Sequence, residues 1–245
     1  MILDWIYPPR CIACRTLFSP FHGRSRPWLC DECRCLFEAI SEAYCSRCGS
    51  PVKGQNICDI CHNCRGRHFY FASHRAAFIY EETLRDLMHH IKFRSQRQLA
   101  QGLGELFAEV AAEWDHLVKV KKAAYIVPIP LHPSKKRMRG FNQAEVMARP
   151  LSKALNIPIA ADMLKRVRKT APQSGLSAAS REQNLEEAFR YNKKYGDSPA
   201  CILLLDDIYT SGATMNACAK TLMENNTQEI HAISLSIAVK DSSLG

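Results

Sequence analysis

The chain has 245 residues, 23% of them charged and 47% hydrophobic, with a formal net charge of +9. That composition excludes a disordered polyelectrolyte, and the length suits one full α/β domain plus a smaller module. No apolar run approaches the roughly 18 residues of a spanning helix, and residues 1–7 lack the basic start of a secretory leader, so no membrane insertion or export is expected and the protein is read as cytoplasmic.

Ten of the twelve cysteines fall at or before Cys64. That asymmetry sets a boundary near residue 70 and divides the chain into a cysteine module, 1–69, and a second unit, 70–245. Cys11 with Cys14, Cys30 with Cys33, Cys45 with Cys48, and Cys61 with Cys64 form four C-x2-C knuckles. Paired cysteines in a cytosolic chain suggest metal rather than disulfides. Each knuckle offers two thiolates from one turn, and two knuckles complete a tetrahedron, so two structural zinc ions are expected. With eight thiolates and two zinc ions the charge falls from +9 to about +5 (eight negative, four positive). Cys35, Cys58 and His62 are spare donors, read as incidental, although Cys58 with Cys61 makes an alternative C-x2-C. Two paired-cysteine units in tandem suggest a duplication. Within the module, 36–43 reads as helical.

Beyond the boundary, 74–80 reads as a strand, followed by an amphipathic helix through Leu84, Leu87, Met88 and Ile91. A second helix is expected over 99–114 and an apolar strand over 123–130. The segment 142–155 reads as a helix that Pro150 should kink or end. After a short strand at 164–167, the polar stretch 168–183 with Pro172 and Gly175 has the length of a functional lid. A strand at 200–205, a helix at 212–223 and a last strand at 229–238 complete the series. Cys201 and Cys218 look like small core residues. Strands alternating with helices predict an α/β fold with a mostly parallel sheet.

The 200–205 strand runs straight into Asp206 and Asp207. Acids at the carboxyl end of a parallel strand lie where α/β sheets bind ligands, and side by side they can accept from ribose hydroxyls. Thr210, Ser211, Gly212, Ala213 and Thr214 then turn into a helix. Their small side chains let backbone N–H groups close around a phosphate at the helix N-terminus. No lysine follows Gly212, which excludes a Walker A loop. The combination points to a phosphorylated ribose of the 5-phosphoribosyl-1-pyrophosphate (PRPP) type.

These residues resemble the signature of type I phosphoribosyltransferases. The whole chain is similar to the ComF/ComFC competence-protein family, which joins a zinc-ribbon-like module to such a domain. The likeness is carried by Leu87-Met88-His89-His90-Ile91-Lys92-Phe93-Arg94, Val127-Pro128-Ile129-Pro130-Leu131-His132-Pro133 and Arg139-Gly140-Phe141-Asn142-Gln143. Pro172-Gln173-Ser174-Gly175-Leu176-Ser177 and the acid-pair loop extend it. The resemblance implies a cytoplasmic role in natural transformation, with single-stranded DNA and DNA-processing helicase or recombination proteins as partners.

The resemblance also implies a pyrophosphate-contacting segment at 131–142, with Lys135, Lys136, Arg137 and Arg139. It implies a flexible loop at 168–183, with Arg168, Lys169 and Arg181. Mg²⁺ would bridge pyrophosphate and ribose hydroxyls. The basic run beside Phe141 is expected to bind single-stranded DNA, the aromatic stacking on a base, with Arg10, Arg15 and Lys53 extending the track. Two departures stand out. Thr210 replaces the Asp that assists the base in purine-salvage members, which argues against that activity, and Tyr209 is bulkier than the usual small residue. No acceptor-activating group is evident; His89, His90 and His132 read as structural. Two functions therefore stand side by side: a binding module that acts on incoming DNA without turnover, and a transferase with an unidentified acceptor.

Overall fold

The computed structural model describes residues 10–18, 29–40, 43–52, 60–114, 122–168, 185 and 187–239. In the first knuckle the Cys11 N–H donates to the Thr16 carbonyl (2.8 Å) and the Arg15 N–H to the Cys11 carbonyl (2.9 Å). Arg15 takes a left-handed conformation, φ 68°. The same turn recurs at Cys45, which donates to Ser50 (2.8 Å) and accepts from Gly49 (2.8 Å), with Gly49 at φ 71°. Arg10 bridges Leu17 in the first unit as Tyr44 bridges Pro51 in the second. This repeated backbone pattern supports the duplication suggested by the cysteine spacing.

Helix α1 (Asp31–Arg34) is a single turn around the second knuckle. The helix expected at 36–43 does not form over its described part. Phe37 and Ile40 are buried, and the chain there runs alongside β1 (Ser73–Ile79). Ile40 N–H donates to the Ala77 carbonyl (3.0 Å) and Ile79 N–H to the Glu38 carbonyl (3.2 Å). Pairing with an otherwise open sheet edge satisfies more buried backbone than an isolated helical turn would.

After β1 come α2 (Glu82–Arg94), α3 (Arg97–Ala112) and β2 (Tyr125–Pro128). Helices α4 (Pro133–Arg139) and α5 (Gln143–Leu155) precede a short pair, β3 (Leu164–Arg166) and β4 (Phe189–Tyr191), which run antiparallel. Then β5 (Cys201–Tyr209), α6 (Ala213–Met223) and β6 (Glu229–Ile237) follow. The main sheet has the order β1-β6-β5-β2 and is parallel throughout.

Residues 202–205 are buried without interruption because both faces of the central strand are covered. Leu203, Leu205, Ile233 and Leu235 share a core with α2, α3 and α5, and Ile202, Leu204, Ile230 and Ala232 share one with α6. Among the described residues the cysteine module has no separate core. Cys11, Leu29 and Phe37 join the first core; Cys45, Cys48 and Cys64 join the second.

Of the two outcomes expected at Pro150, a kink or an end, the helix does not end there: α5 runs on to Leu155. A proline forfeits one backbone hydrogen bond, to the carbonyl four residues back, and here tertiary packing outweighs that loss. A Cβ built on Gly104 would lie 2.8 Å from Met147 Cα and 3.2 Å from the Pro150 ring, so α3 and α5 cross closely at this point. Helix α4 occupies most of the segment read as a pyrophosphate loop. His132 caps it, Pro133 opens it, and Gly140 at φ 82° closes it. No helix among the described residues is long and apolar enough to cross a membrane.

Candidate ligand cleft and zinc ribbons

In each of the sets Cys11, Cys14, Cys30, Cys33 and Cys45, Cys48, Cys61, Cys64, the four Sγ atoms lie within 4.8 Å of one another. Cys14 and Cys30 Sγ are 3.6 Å apart, and Cys48 and Cys61 Sγ 3.7 Å. A zinc tetrahedron with bonds near 2.3 Å has edges of about 3.8 Å, so the donors present fit the ion. In both sets a backbone N–H from the later knuckle reaches the first sulfur: Cys30 to Cys11 (3.5 Å) and Cys61 to Cys45 (3.2 Å). Four thiolates leave no open position, which makes these structural centres. Cys35 and His62 are exposed and outside both sets, whereas Cys58 lies outside the described residues.

The chain leaves β2 for α5, on one face of the sheet, and leaves β5 for α6, on the other. That divergence opens a crevice at the carboxyl ends of two adjacent strands, the usual ligand position in such sheets. A cleft of about 410 Å³ lies there, lined by Asp206, Asp207, Thr210, Gly212, Ala213 and Thr214. Tyr80, Lys92, Lys135, Gln143 and Arg166 complete its charged and polar wall.

The two acids are not equivalent, because β5 continues to Tyr209 and its pleat sends them to opposite faces. Asp207 is buried toward α2 and α5. Its Oδ2 takes Lys92 Nζ (3.0 Å) and Gln143 Nε2 (3.0 Å), and its Oδ1 accepts from the Ile208 N–H (3.0 Å). Burial pushes its carboxyl up, but the Lys92 charge and these hydrogen bonds outweigh that and hold it below the ordinary carboxylate range. Asp206 accepts from the Asp207 N–H (2.9 Å). Desolvation first, then the charge of Asp207, raise Asp206 well above the usual value. Asp207 is thus bonded to Lys92, Gln143 and its own strand, whereas Asp206, raised in pKa, lines the same cleft.

Loop 210–214 is shaped from beneath by Tyr209. Its ring stacks on His74 with centroids 4.1 Å apart, and a Cβ on Gly212 would overlap its hydroxyl. Gly212, at φ 78°, is therefore required both for the left-handed turn and for the phenol below it. The Tyr209 hydroxyl is buried with no hydrogen-bond partner among the described residues. His74 Nδ1 donates to the Cys48 carbonyl (2.7 Å), tying this stack to the second ribbon. Arg67 donates to the Ser211 carbonyl (3.0 Å), and Asn216 bridges the His68 carbonyl (3.2 Å) and the Tyr70 N–H (2.7 Å).

The basic residues separate. Lys135 lines the cleft. Lys136, paired with Glu145 at 3.3 Å, and Arg137 line an adjoining cavity of about 790 Å³. Arg139 is buried; its guanidinium bonds the Gln143 amide oxygen and its Nε donates to the Lys92 carbonyl (3.3 Å). It supports the acid site from behind. Arg168 is exposed, and Lys169 and Arg181 lie outside the described residues, as does Lys53. Phe141 is 7% exposed and part of the core, so it does not offer a stacking face to a base. His132 accepts from the Ser134 N–H as a helix cap, and His89 contacts Phe93. None of His89, His90 and His132 is among the described cleft residues.

Lys92, Gln143, Arg166 and Arg67 were not singled out from the sequence as site residues. For Lys92 a signal existed: it follows Leu84 and Met88 at helical spacing, a charge on the apolar face of α2.

Residues 2–65 match the double zinc ribbon domain family. The chain is 33% identical to Competence protein F of Haemophilus influenzae, over 94% of this chain and 97% of that protein. It is 31% identical to Competence protein ComFC of Streptococcus pneumoniae, over 84% of this chain and 86% of the relative. It is 26% identical to the DNA utilization protein YhgH of Escherichia coli, over 91% and 94% respectively.

Proposed function

The chain belongs to the ComF/ComFC competence-protein family, and we propose that it acts in the cytoplasm on DNA taken up by the cell, binding PRPP with Mg²⁺ at Asp206 and single-stranded DNA on the basic surface nearby. Relatives named for competence and for DNA utilization support the process. The observation that carries the ligand is the cleft itself, where a glycine-pinned loop and an acid of raised pKa face Lys92, Lys135 and Arg166. Backbone N–H groups of 210–214 would hold the 5-phosphate, the Asp206 carboxylate the ribose hydroxyls, and the three cations the pyrophosphate. Mg²⁺, when bound, would neutralise pyrophosphate charge beside Asp206. Helicase or recombination proteins that process incoming strands are the partners this role calls for.

PRPP with Mg²⁺ should stabilise the protein by roughly 2.7 kcal/mol at a hundredfold excess over Kd. Asp206→Asn should remove that shift, and an undiminished shift would place the ligand elsewhere. Anisotropy of a labelled oligonucleotide should fall with salt and with Lys135/Lys136/Arg137→Ala. Equal binding by both proteins would remove the DNA part of the proposal.

The adjoining cavity favours a second reading, turnover onto an acceptor. It shares Pro130, Leu131 and Arg166 with the cleft, so a second substrate there would lie beside the reacting end of PRPP. Pyrophosphate release that depends on an added nucleobase or oligonucleotide, and on Asp206, would establish it.

A further inference from the structure

At the opposite end of the sheet from the cleft, three side chains of metal-binding type converge. Cys201 and Glu229 open β5 and β6 and lie side by side in register. His231 follows two residues after Glu229 and therefore points to the same face. The ligating atoms of all three lie within 4.8 Å of one another. His231 is 3% exposed, Cys201 packs against the core, and the Glu229 side chain is 49% exposed.

We propose that Cys201, Glu229 and His231 bind one divalent transition-metal ion of the Zn²⁺ or Co²⁺ class, separate from the two ribbon ions. A thiolate, an imidazole and a carboxylate form the borderline donor set that such ions favour over Mg²⁺ or Ca²⁺. The imidazole is already oriented for the task. Its Nδ1 is 2.8 Å from the hydroxyl of Ser73, its register partner on β1, which turns Nε2 toward Glu229.

Nε2 and the Glu229 Oε1 face each other at 3.1 Å. Either an Nε2–H donated to the carboxylate or a metal ion shared by the two fits that distance. A proton would satisfy the histidine and the glutamate alone. A metal ion would engage the nearby Cys201 sulfur as well, a thiol that otherwise only packs against the core. Binding releases the thiol proton, and any proton on Nε2, to solvent. Three protein ligands leave a fourth position for water, unlike the closed ribbons. Glu229, on the open side, provides the entry path.

The test uses the full chain with both ribbons zinc-loaded, titrated with Co²⁺. One further equivalent should bind, with thiolate-to-cobalt charge-transfer absorption, while mass analysis shows the ribbon zinc retained. Cys201→Ser and His231→Ala should each abolish that equivalent and keep the ribbon ions. Glu229→Gln, at a half-exposed position where misfolding is not expected, should weaken it about tenfold or more. Absence of a further equivalent in wild type would overturn the proposal. So would its persistence unchanged in Glu229→Gln together with either other variant, which would assign the cobalt to another thiol such as exposed Cys35.

Discussion

Replacing Lys92 with methionine tests how the acid site is held. The Lys92 side chain is 27% exposed and that of Asp207 7%, at 3.0 Å. Removing one member of a buried pair costs about 3–5 kcal/mol, mostly because the other charge is left uncompensated. Water reaches part of Lys92, and Gln143 and the Ile208 N–H still donate to Asp207. The expected loss is therefore about 2–3 kcal/mol, below that range because the pair is partly solvated and Asp207 keeps two donors. The pH dependence has a definite sign. In the wild type the folded pKa of Asp207 is depressed, so its contribution is present above the ordinary carboxylate range and fades as pH falls through the folded value. Without Lys92, burial dominates and raises the carboxyl. The penalty of Lys92→Met should then be small in acid and grow as pH climbs through the carboxylate range. Lys92→Met/Asp207→Asn, with neither charge, should regain most of the loss. Urea denaturation of the three proteins across pH measures both effects. Equal destabilisation of the single and double variants, or a penalty independent of pH, would refute the reasoning.

Asp206→Asn should act in the opposite sense. The folded pKa of Asp206 is raised, so wild-type stability declines as pH rises from the ordinary carboxylate value toward the raised one; the amide removes that decline and gains about 0.5–2 kcal/mol above it. Melting temperatures with the same pH slope in both proteins would contradict this. Gly212→Ala should cost about 1–2 kcal/mol for the left-handed backbone alone, and more from the displaced Tyr209 phenol, whereas Tyr209→Phe should leave the unliganded protein as stable or more so. Thermal melts check the pair, and a Gly212→Ala protein as stable as wild type would show that the loop is not built on that contact.

The parts legible in the sequence are those whose cause is local. The central strand could be read from 202–205 because burial on both faces demands an uninterrupted apolar run. The knuckles could be read because two thiolates from one turn require a fixed spacing. Helix α4 was harder: its four cations read as a binding loop, although Pro133 and Gly140 bracket a helix. Strand β4 is three residues long, too short for periodicity to register. The division of labour between the two acids was not legible at all. It depends on Lys92 and Gln143, far from Asp207 in the chain, and on the strand continuing past both acids so that its pleat separates them. The extended path at 38–40 likewise follows from a tertiary partner, the edge of β1.

The two ribbons share a turn geometry but occupy unlike places. The first packs on the α3 side of the sheet, where Arg34 pairs with Glu109. The second is joined to the ligand cleft by three routes. His74 carries the Tyr209 stack from the Cys48 carbonyl, Arg67 holds the Ser211 carbonyl, and Asn216 fixes the first turn of α6 to 68–70. A loop of small residues ending in a left-handed glycine has little packing of its own, so these attachments define its shape. Metal binding to a ribbon is folding free energy for the chain around it. In the second unit that chain includes the supports of loop 210–214, so zinc there would order that loop as well as its own knuckles. One turn geometry thus serves in two settings: a brace for the helical layer, and a floor beneath loop 210–214.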